Sequence, residues 1–438
     1  MMQQSEFKRR RRQLMRLMGD NTIAIIPAAG ISPRNRDVEY TYRQDSDFQY
    51  LTGFPEPEAL AVLIPGRKEA EYILFCRERD PEKEMWDGKR AGLEGAAETF
   101  GADDAFPFDD LEDILSGLIE NREKIYIAMG KNPDLDHQIG EWVLNIRENS
   151  RAGIKAPLEF VDLDHVVHDL RLYKSRAEIA VMRKAAKISA AAHKQLMKVC
   201  EPGMNERQLQ VEFAYFCGQQ GAVEQAYPSI VGGGDNACIL HYIDNNEELI
   251  SGDLVLIDAG CELACYASDI TRTFPVNGVF SPAQRDLYQL VLDAQHAAIA
   301  AVKPGAKWDD PHNAAVKVIT KGLVKLGLLK GKVSQLIKDT AYRTFFMHRT
   351  GHWLGMDVHD VGDYRVADVS RELEPGMVLT VEPGLYVARG SKTAKKWWGI
   401  GIRIEDDILV TKEGCDVLSS AVPKEISDIE SLMATAKK

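Results

Sequence analysis

An internal repeat in the second half restricts the fold of this chain more than any other feature. Gly252-Asp-Leu-Val-Leu-Ile-Asp258-Ala-Gly260 aligns without gaps on Gly376-Met-Val-Leu-Thr-Val-Glu382-Pro-Gly384. Each copy is a turn glycine, an apolar run of strand character, a carboxylate and a second glycine. Each carboxylate is followed by another strand-like stretch carrying a second acid. Asp269 lies in Ser268-Asp-Ile-Thr-Arg-Thr-Phe-Pro-Val276, and Glu405 lies in Ile400-Gly-Ile-Arg-Ile-Glu-Asp-Asp-Ile-Leu-Val410. The repeat predicts two related halves, each placing a pair of acids on a hairpin.

A carboxylate closing an apolar strand is costly to bury unless it is paired or bound to a cation. Four of them converging would repel strongly, and divalent metal is the natural counter-charge for oxygen ligands. The segment His348-Arg-Thr-Gly-His352-Trp-Leu-Gly-Met-Asp-Val-His359-Asp holds the densest run of histidines in the chain. Its glycines and lack of period predict a loop, and one imidazole from it would shift the preference toward transition metals. Four acids and a histidine suit a two-metal site, which makes a nucleophile near neutral pH and polarises a carbonyl. Singly, each acid reads as a turn or cap residue and each histidine as a surface or core residue; only the combination points to a metal.

The remainder is ordinary for a folded chain of two or three domains: 438 residues, 45% hydrophobic and 27% charged. A nucleic-acid binder normally shows a basic face, so a net charge of -12 counts against that class. The one basic run, Lys8 to Arg12, reads as the solvated face of a first helix. No stretch reaches the roughly 18 apolar residues of a membrane span, and the N-terminus lacks the apolar centre of a signal peptide. The seven cysteines are odd in number and scattered; they predict reduced thiols in a cytoplasmic protein. Residues 1–173 alternate short apolar runs with helical stretches and predict a small α/β domain. From Ser175-Arg-Ala-Glu178, a capping box, the texture turns to long Ala-rich helices, so the second domain is placed at 174–438. Further helices are expected from Asn205 and from Ser281-Pro-Ala-Gln284.

With these residues in view, the second half resembles the pita-bread metallopeptidases, a family that includes methionine aminopeptidase, prolidase and aminopeptidase P. The motifs stand in order: Asp258 in LIDAG, Asp269 in SDITRTFPV, His352 in HRTGHWLG, Glu382 in TVEPG and Glu405 in GIRIEDD. Within the family, the bacterial aminopeptidase P (Xaa-Pro aminopeptidase) group is the nearest likeness. Its pattern extends to RNRDVEYTYRQDSDFQYLTGFPEPEAL in the first domain, ILHY with His241 and HDVG with His359. Trp353 stands where glycine is common in the wider family, and the bacterial aminopeptidase P group tends to have tryptophan there.

The resemblance implies an α/β (α+β) chain, a small N-terminal domain followed by a pita-bread domain with a pseudo-twofold repeat. It implies a metalloaminopeptidase that releases the first residue of peptides with proline second, by attack of a hydroxide bridging two divalent metals, most often Mn2+. By the same likeness Asp258 binds one metal, Asp269 and Glu405 bridge both, and His352 and Glu382 complete the set. Glu382 also transfers protons, His241 and His359 contact substrate, and Arg403 with Tyr386 and Asp37 forms a hydrogen-bonded group nearby. His348 stands behind the ligand loop, Trp86 reaches across a subunit interface, and the assembly is a homotetramer. The alternatives are a prolidase, which shares every ligand, and a non-catalytic pita-bread peptide-binding module or a metal-free creatinase, both of which the complete acid set opposes.

Overall fold

The computed structural model describes residues 2–222 and 224–436. The chain divides into two compact units between Arg171 and Leu172. The first is built on a six-stranded mixed sheet, in the order Asp104–Pro107, Tyr72–Cys76, Leu60–Leu63, Thr22–Pro27, Lys124–Ile127 and Glu159–Asp162. Its central strands are continuously apolar and buried, as strands covered on both faces must be.

The helix Gln4–Met18 departs from the sequence reading of a solvated basic face. Arg10 and Arg11 are only 1% and 3% exposed. Each guanidinium lies over an aromatic ring, Arg10 4.1 Å from the Tyr50 centroid and Arg11 3.9 Å from that of Tyr72. Each also donates to a carbonyl that ends the helix Ser46–Thr52: Arg10 to Tyr50 O at 3.0 Å and Arg11 to Leu51 O at 2.9 Å. Planar cations that stack and cap can be buried where lysine could not. Arg10→Ala is therefore expected to destabilise the first unit by about 3 kcal/mol, since it strips a buried carbonyl of its donor along with the packing. Urea unfolding checks this, and a loss below about 1 kcal/mol would contradict it.

The second unit begins with the helix Arg176–Val199, and Ser175 and Glu178 form the expected capping box at its start. Boxes at Asn205 and Ser281 start the helices Glu206–Gln219 and Pro282–Ala301 in the same way. These helices cover two hairpins. In one, Leu254–Asp258 runs antiparallel to Thr271–Pro275 with Asp258 opposite Thr271. In the other, Val378–Val381 runs antiparallel to Asp406–Val410 with Val381 opposite Asp406.

The hairpins meet at the ends that carry the acids. Glu405 N donates to Thr271 O at 3.1 Å, and Thr273 Oγ1 donates to Arg403 O at 3.0 Å. The sequence reading put the second acid of each pair inside a strand. In the structure Asp269 lies two residues before the strand Thr271–Pro275, and Glu405 lies in the turn between Ile400–Arg403 and Asp406–Val410. Strand ends leave side chains and backbone free to converge on a common point, which mid-strand positions do not. Gly260 permits this: a Cβ there would sit 1.7 Å from the Ser268 carbonyl oxygen.

Candidate metal centre

Five ligand-type side chains from five separate segments face one cavity of about 410 Å³ in the second unit: Asp258, Asp269, His352, Glu382 and Glu405. Ligand atoms of Asp269, His352 and Glu405 lie within 4.8 Å of one another. His352 Nε2 is 3.3 Å from Asp269 Oδ2 and 3.8 Å from Glu382 Oε1. Its Nδ1 lies 2.9 Å from Trp353 O; with a proton on Nδ1 donated there, Nε2 is the nitrogen left to serve as a metal ligand once it is deprotonated.

Neighbouring residues hold the acids in place. Arg403 donates to Asp258 Oδ2 at 2.6 Å, to Tyr386 Oη at 3.0 Å and to Thr271 Oγ1 at 3.1 Å. Thr271 Oγ1 in turn donates to Glu405 Oε2 at 2.6 Å. The Tyr227 hydroxyl lies within hydrogen-bond range of both Asp258 Oδ1, at 2.6 Å, and Asp269 Oδ1. Asp407, on the second hairpin, accepts from Asp269 N at 3.2 and 3.3 Å. Thr271 and Asp407 thus form a reciprocal pair, each touching the acid of the opposite hairpin.

The electrostatics show an excess of negative charge. Burial raises the Glu382 carboxyl to about 7, against the opposing pull of His352 and Arg403. Burial, reinforced by neighbouring carboxylates, also raises Asp269 and Glu405. His352 moves up to about 9: burial disfavours its charge, but Asp269 outweighs that by hydrogen bonding and attraction. A site that draws protons onto acids and imidazole together is one where a cation can take their place, and binding it would release protons. Hard oxygen donors with one imidazole Nε2 fit a divalent metal.

Both raised values give the same sign of pH dependence. The folded, metal-free chain keeps protons on Glu382 between about 4.5 and 7, and on His352 between about 6.5 and 9, that the unfolded chain has lost. Stability without metal is therefore expected to fall as pH rises from about 5 to 9. Thermal melts of chelated protein across that range check this; a melting temperature that rises with pH would contradict it.

The other site residues of the sequence reading fall into two groups. His241, His348, His359 and Arg403 line the same cavity, with His241 and His359 exposed at its edge. The His359 and His352 rings are 4.2 Å apart. His348 Nε2 lies 2.9 Å from Tyr386 Oη, so the chain His348, Tyr386, Arg403, Asp258 is continuous. Asp37 and Trp86 belong to the first unit. Asp37 is an exposed turn residue between Pro33–Asn35 and Val38–Glu39, and Trp86 is 86% exposed on the helix Pro81–Asp87.

Tyr227, Thr271 and Asp407 were not found from sequence. Asp407 had a signal, since a third consecutive acid inside an apolar strand invites the same question as Glu405. A lone tyrosine in Ala226-Tyr-Pro-Ser229 carries no such signal.

Comparison with known proteins places this geometry. Residues 180–412 match metallopeptidase family M24, and residues 7–126 match the aminopeptidase P N-terminal domain. The Escherichia coli Xaa-Pro aminopeptidase is 46% identical across 99% of this chain and 98% of its own length. The human Xaa-Pro aminopeptidase 3 is 36% identical across 99% of this chain and 86% of its own. The structure of the Pseudomonas aeruginosa aminopeptidase PepP superposes with a TM-score of 0.98 at 59% identity, covering both chains completely. An E. coli aminopeptidase P variant in complex with substrate superposes with a TM-score of 0.97 at 45% identity, covering 99% of both chains.

Proposed function

Because the chain belongs to metallopeptidase family M24, we propose a division of labour among its residues for the reaction of that family's Xaa-Pro aminopeptidases. The chain is a metal-dependent hydrolase of this kind, releasing the first residue of peptides whose second residue is proline. Its second unit is the pita-bread domain and its first the aminopeptidase P N-terminal domain. The observation that carries the residue roles is the convergence of five motifs on one buried cluster inside a single cavity.

Two Mn2+ ions are the proposed metals. Asp258, Asp269, His352, Glu382 and Glu405 would hold them, with Asp269 and Glu405 shared between the two. The chemistry such metals would supply is activation of a water near neutral pH and polarisation of the carbonyl that precedes proline. Glu382 takes the proton from the attacking water and passes it toward the prolyl nitrogen, which must be protonated to leave. His241 and His359, at the cavity edge, donate to the carbonyl oxygen as charge develops on it.

Arg403 fixes Asp258 and Tyr386, so that Asp258 cannot rotate away from its metal. Pro228, Ile230, Leu240, Ile243 and Val358 give the cavity an apolar wall suited to a pyrrolidine ring. A bond to proline has no N–H to pair with a strand, so recognition by shape and by the carbonyl is what remains.

No described helix is long and apolar enough to cross a membrane. We place the protein in the cytoplasm as a homotetramer, in which exposed Trp86 meets a neighbouring subunit. Metal-stripped protein is expected to bind two Mn2+ per chain, and Glu405→Gln to lose at least one of them. Manganese titration followed by electron paramagnetic resonance checks this. Two ions bound with unchanged affinity in the variant would contradict the bridging role.

A further inference from the structure

The loop His352–Asp360 carries one proposed ligand and one substrate-contacting histidine, yet it contains no regular secondary structure beyond a bridge from Trp353 to Leu379. Something other than a helix or strand must hold it. Asp360 closes the loop, with its carboxylate turned inward. Asp360 Oδ2 meets Lys174 Nζ at 2.8 Å, and both side chains are 1% exposed. Lys174 lies near the start of the second unit, where its N–H donates to Gly376 O at 2.9 Å. The lysine is thus anchored at its backbone to the turn that opens the second copy of the repeat.

The carboxylate organises the loop around itself. Asp357 N donates to Asp360 Oδ1 at 3.3 Å. Asp360 N donates to Trp353 O at 2.9 Å. That same carbonyl receives His352 Nδ1 at 2.9 Å, the contact that turns Nε2 toward the acids. Gly355 O accepts from Ala267 N at 2.8 Å, two residues before Asp269. Gly355 itself leaves room for the ion pair, because a Cβ there would lie 2.0 Å from Asp360 Oδ2 and 2.9 Å from Lys174 Cε.

We propose that Lys174 and Asp360 are positioning residues for the metal centre: their buried ion pair sets the loop that aims His352 Nε2 at the acids and presents His359 at the cavity edge. Neither residue touches substrate or reacting atoms. A buried ion pair is weak evidence for stability, since an apolar pair of similar size often serves as well. Its value here lies in direction. The carboxylate must point inward to reach the ammonium, and that choice fixes which way Trp353 O and the histidines face. The inference rests on His352 being a metal ligand.

The test compares Lys174→Met, the double variant Lys174→Met/Asp360→Asn, and His352→Ala, all in full-length protein. The double variant avoids the uncompensated buried carboxylate that the single one leaves, so it is expected to fold even if the single one is destabilised. Mn2+ binding to the stripped proteins is measured by titration, alongside melting temperature and kcat and KM on an Xaa-Pro-Yaa tripeptide. The expected result is a 10–100-fold weaker Mn2+ affinity in the double variant, the range seen when groups that orient metal ligands are lost. Its melting temperature is expected close to wild type, with kcat reduced more than KM is changed. A pair that only stabilises the fold would give wild-type affinity once the melting temperature is restored, and that overturns the inference. Unchanged Mn2+ binding in His352→Ala would overturn the ligand assignment and this inference together. Loss in His352→Ala with none in the double variant overturns the inference alone.

Discussion

Glu382→Gln is expected to lower kcat on an Xaa-Pro-Yaa tripeptide by about 10³-fold or more, with KM changed little. In the proposed role this side chain moves the proton; it lies 3.8 Å from His352 Nε2 through one oxygen and 3.8 Å from His348 Nδ1 through the other. In the metal-free chain burial raises its carboxyl to about 7. Glutamine keeps the volume but cannot move the proton, and it is a poorer metal ligand. The backbone does not depend on the carboxylate, because Glu382 N donates to Thr350 O at 2.9 Å. The variant is expected to fold, and its metal-free form to melt above wild type, having lost a carboxyl whose burial outweighs the attraction of His352 and Arg403. A loss of kcat under tenfold would remove Glu382 from the chemistry.

Arg272→Ala is expected to have the largest effect on stability, about 3–5 kcal/mol. This residue is fully buried and joins the two hairpins at their acid-bearing ends. Its guanidinium bonds Asp406 Oδ1 at 2.7 Å, Thr271 O at 2.9 Å and Pro423 O at 3.2 Å, and it also meets Glu405 O. Asp406 is wholly buried too, and Arg272 and Lys424 hold its carboxyl far below the usual range against the cost of burial. Without Arg272 that charge loses its main partner and several carbonyls lose their donor. For a unit of this size the melting temperature is expected to fall by on the order of 10 °C. A drop under about 3 °C by calorimetry would show that Lys424 alone suffices. Because Thr271 O and Glu405 O are both held by this one side chain, metal affinity is expected to fall with it.

The local features were legible because their causes are local. Ser175, Asn205 and Ser281 announce their helices through a side chain that meets its own first turn. The hairpins were legible because the repeat writes the same strand, acid and glycine twice; of the five ligand-type residues, Asp258 and Glu382 end an apolar run, Asp269 and Glu405 stand in the strand-like stretch that follows each, and His352 sits in a histidine-rich loop. What escaped is set by partners distant in sequence. Arg10 and Arg11 look like surface charge until Tyr50 and Tyr72 arrive from elsewhere in the chain. Trp353 reads only as a variation in a motif. In the structure it is fully buried, with its ring centroid 4.2 Å from that of Trp308 and its plane 4° from that of Tyr364. That packing secures the carbonyl which orients His352. Lys174, 186 residues from Asp360, carries no sign of its partner at all.

The most direct measurement is hydrolysis of an Xaa-Pro-Yaa tripeptide and an Xaa-Pro dipeptide by protein stripped of metal and then reconstituted with Mn2+. Release of the first residue of the tripeptide, abolished by chelation and restored by Mn2+, is the expected result. Cleavage confined to the dipeptide, or cleavage of the tripeptide that survives complete removal of metal, would contradict it.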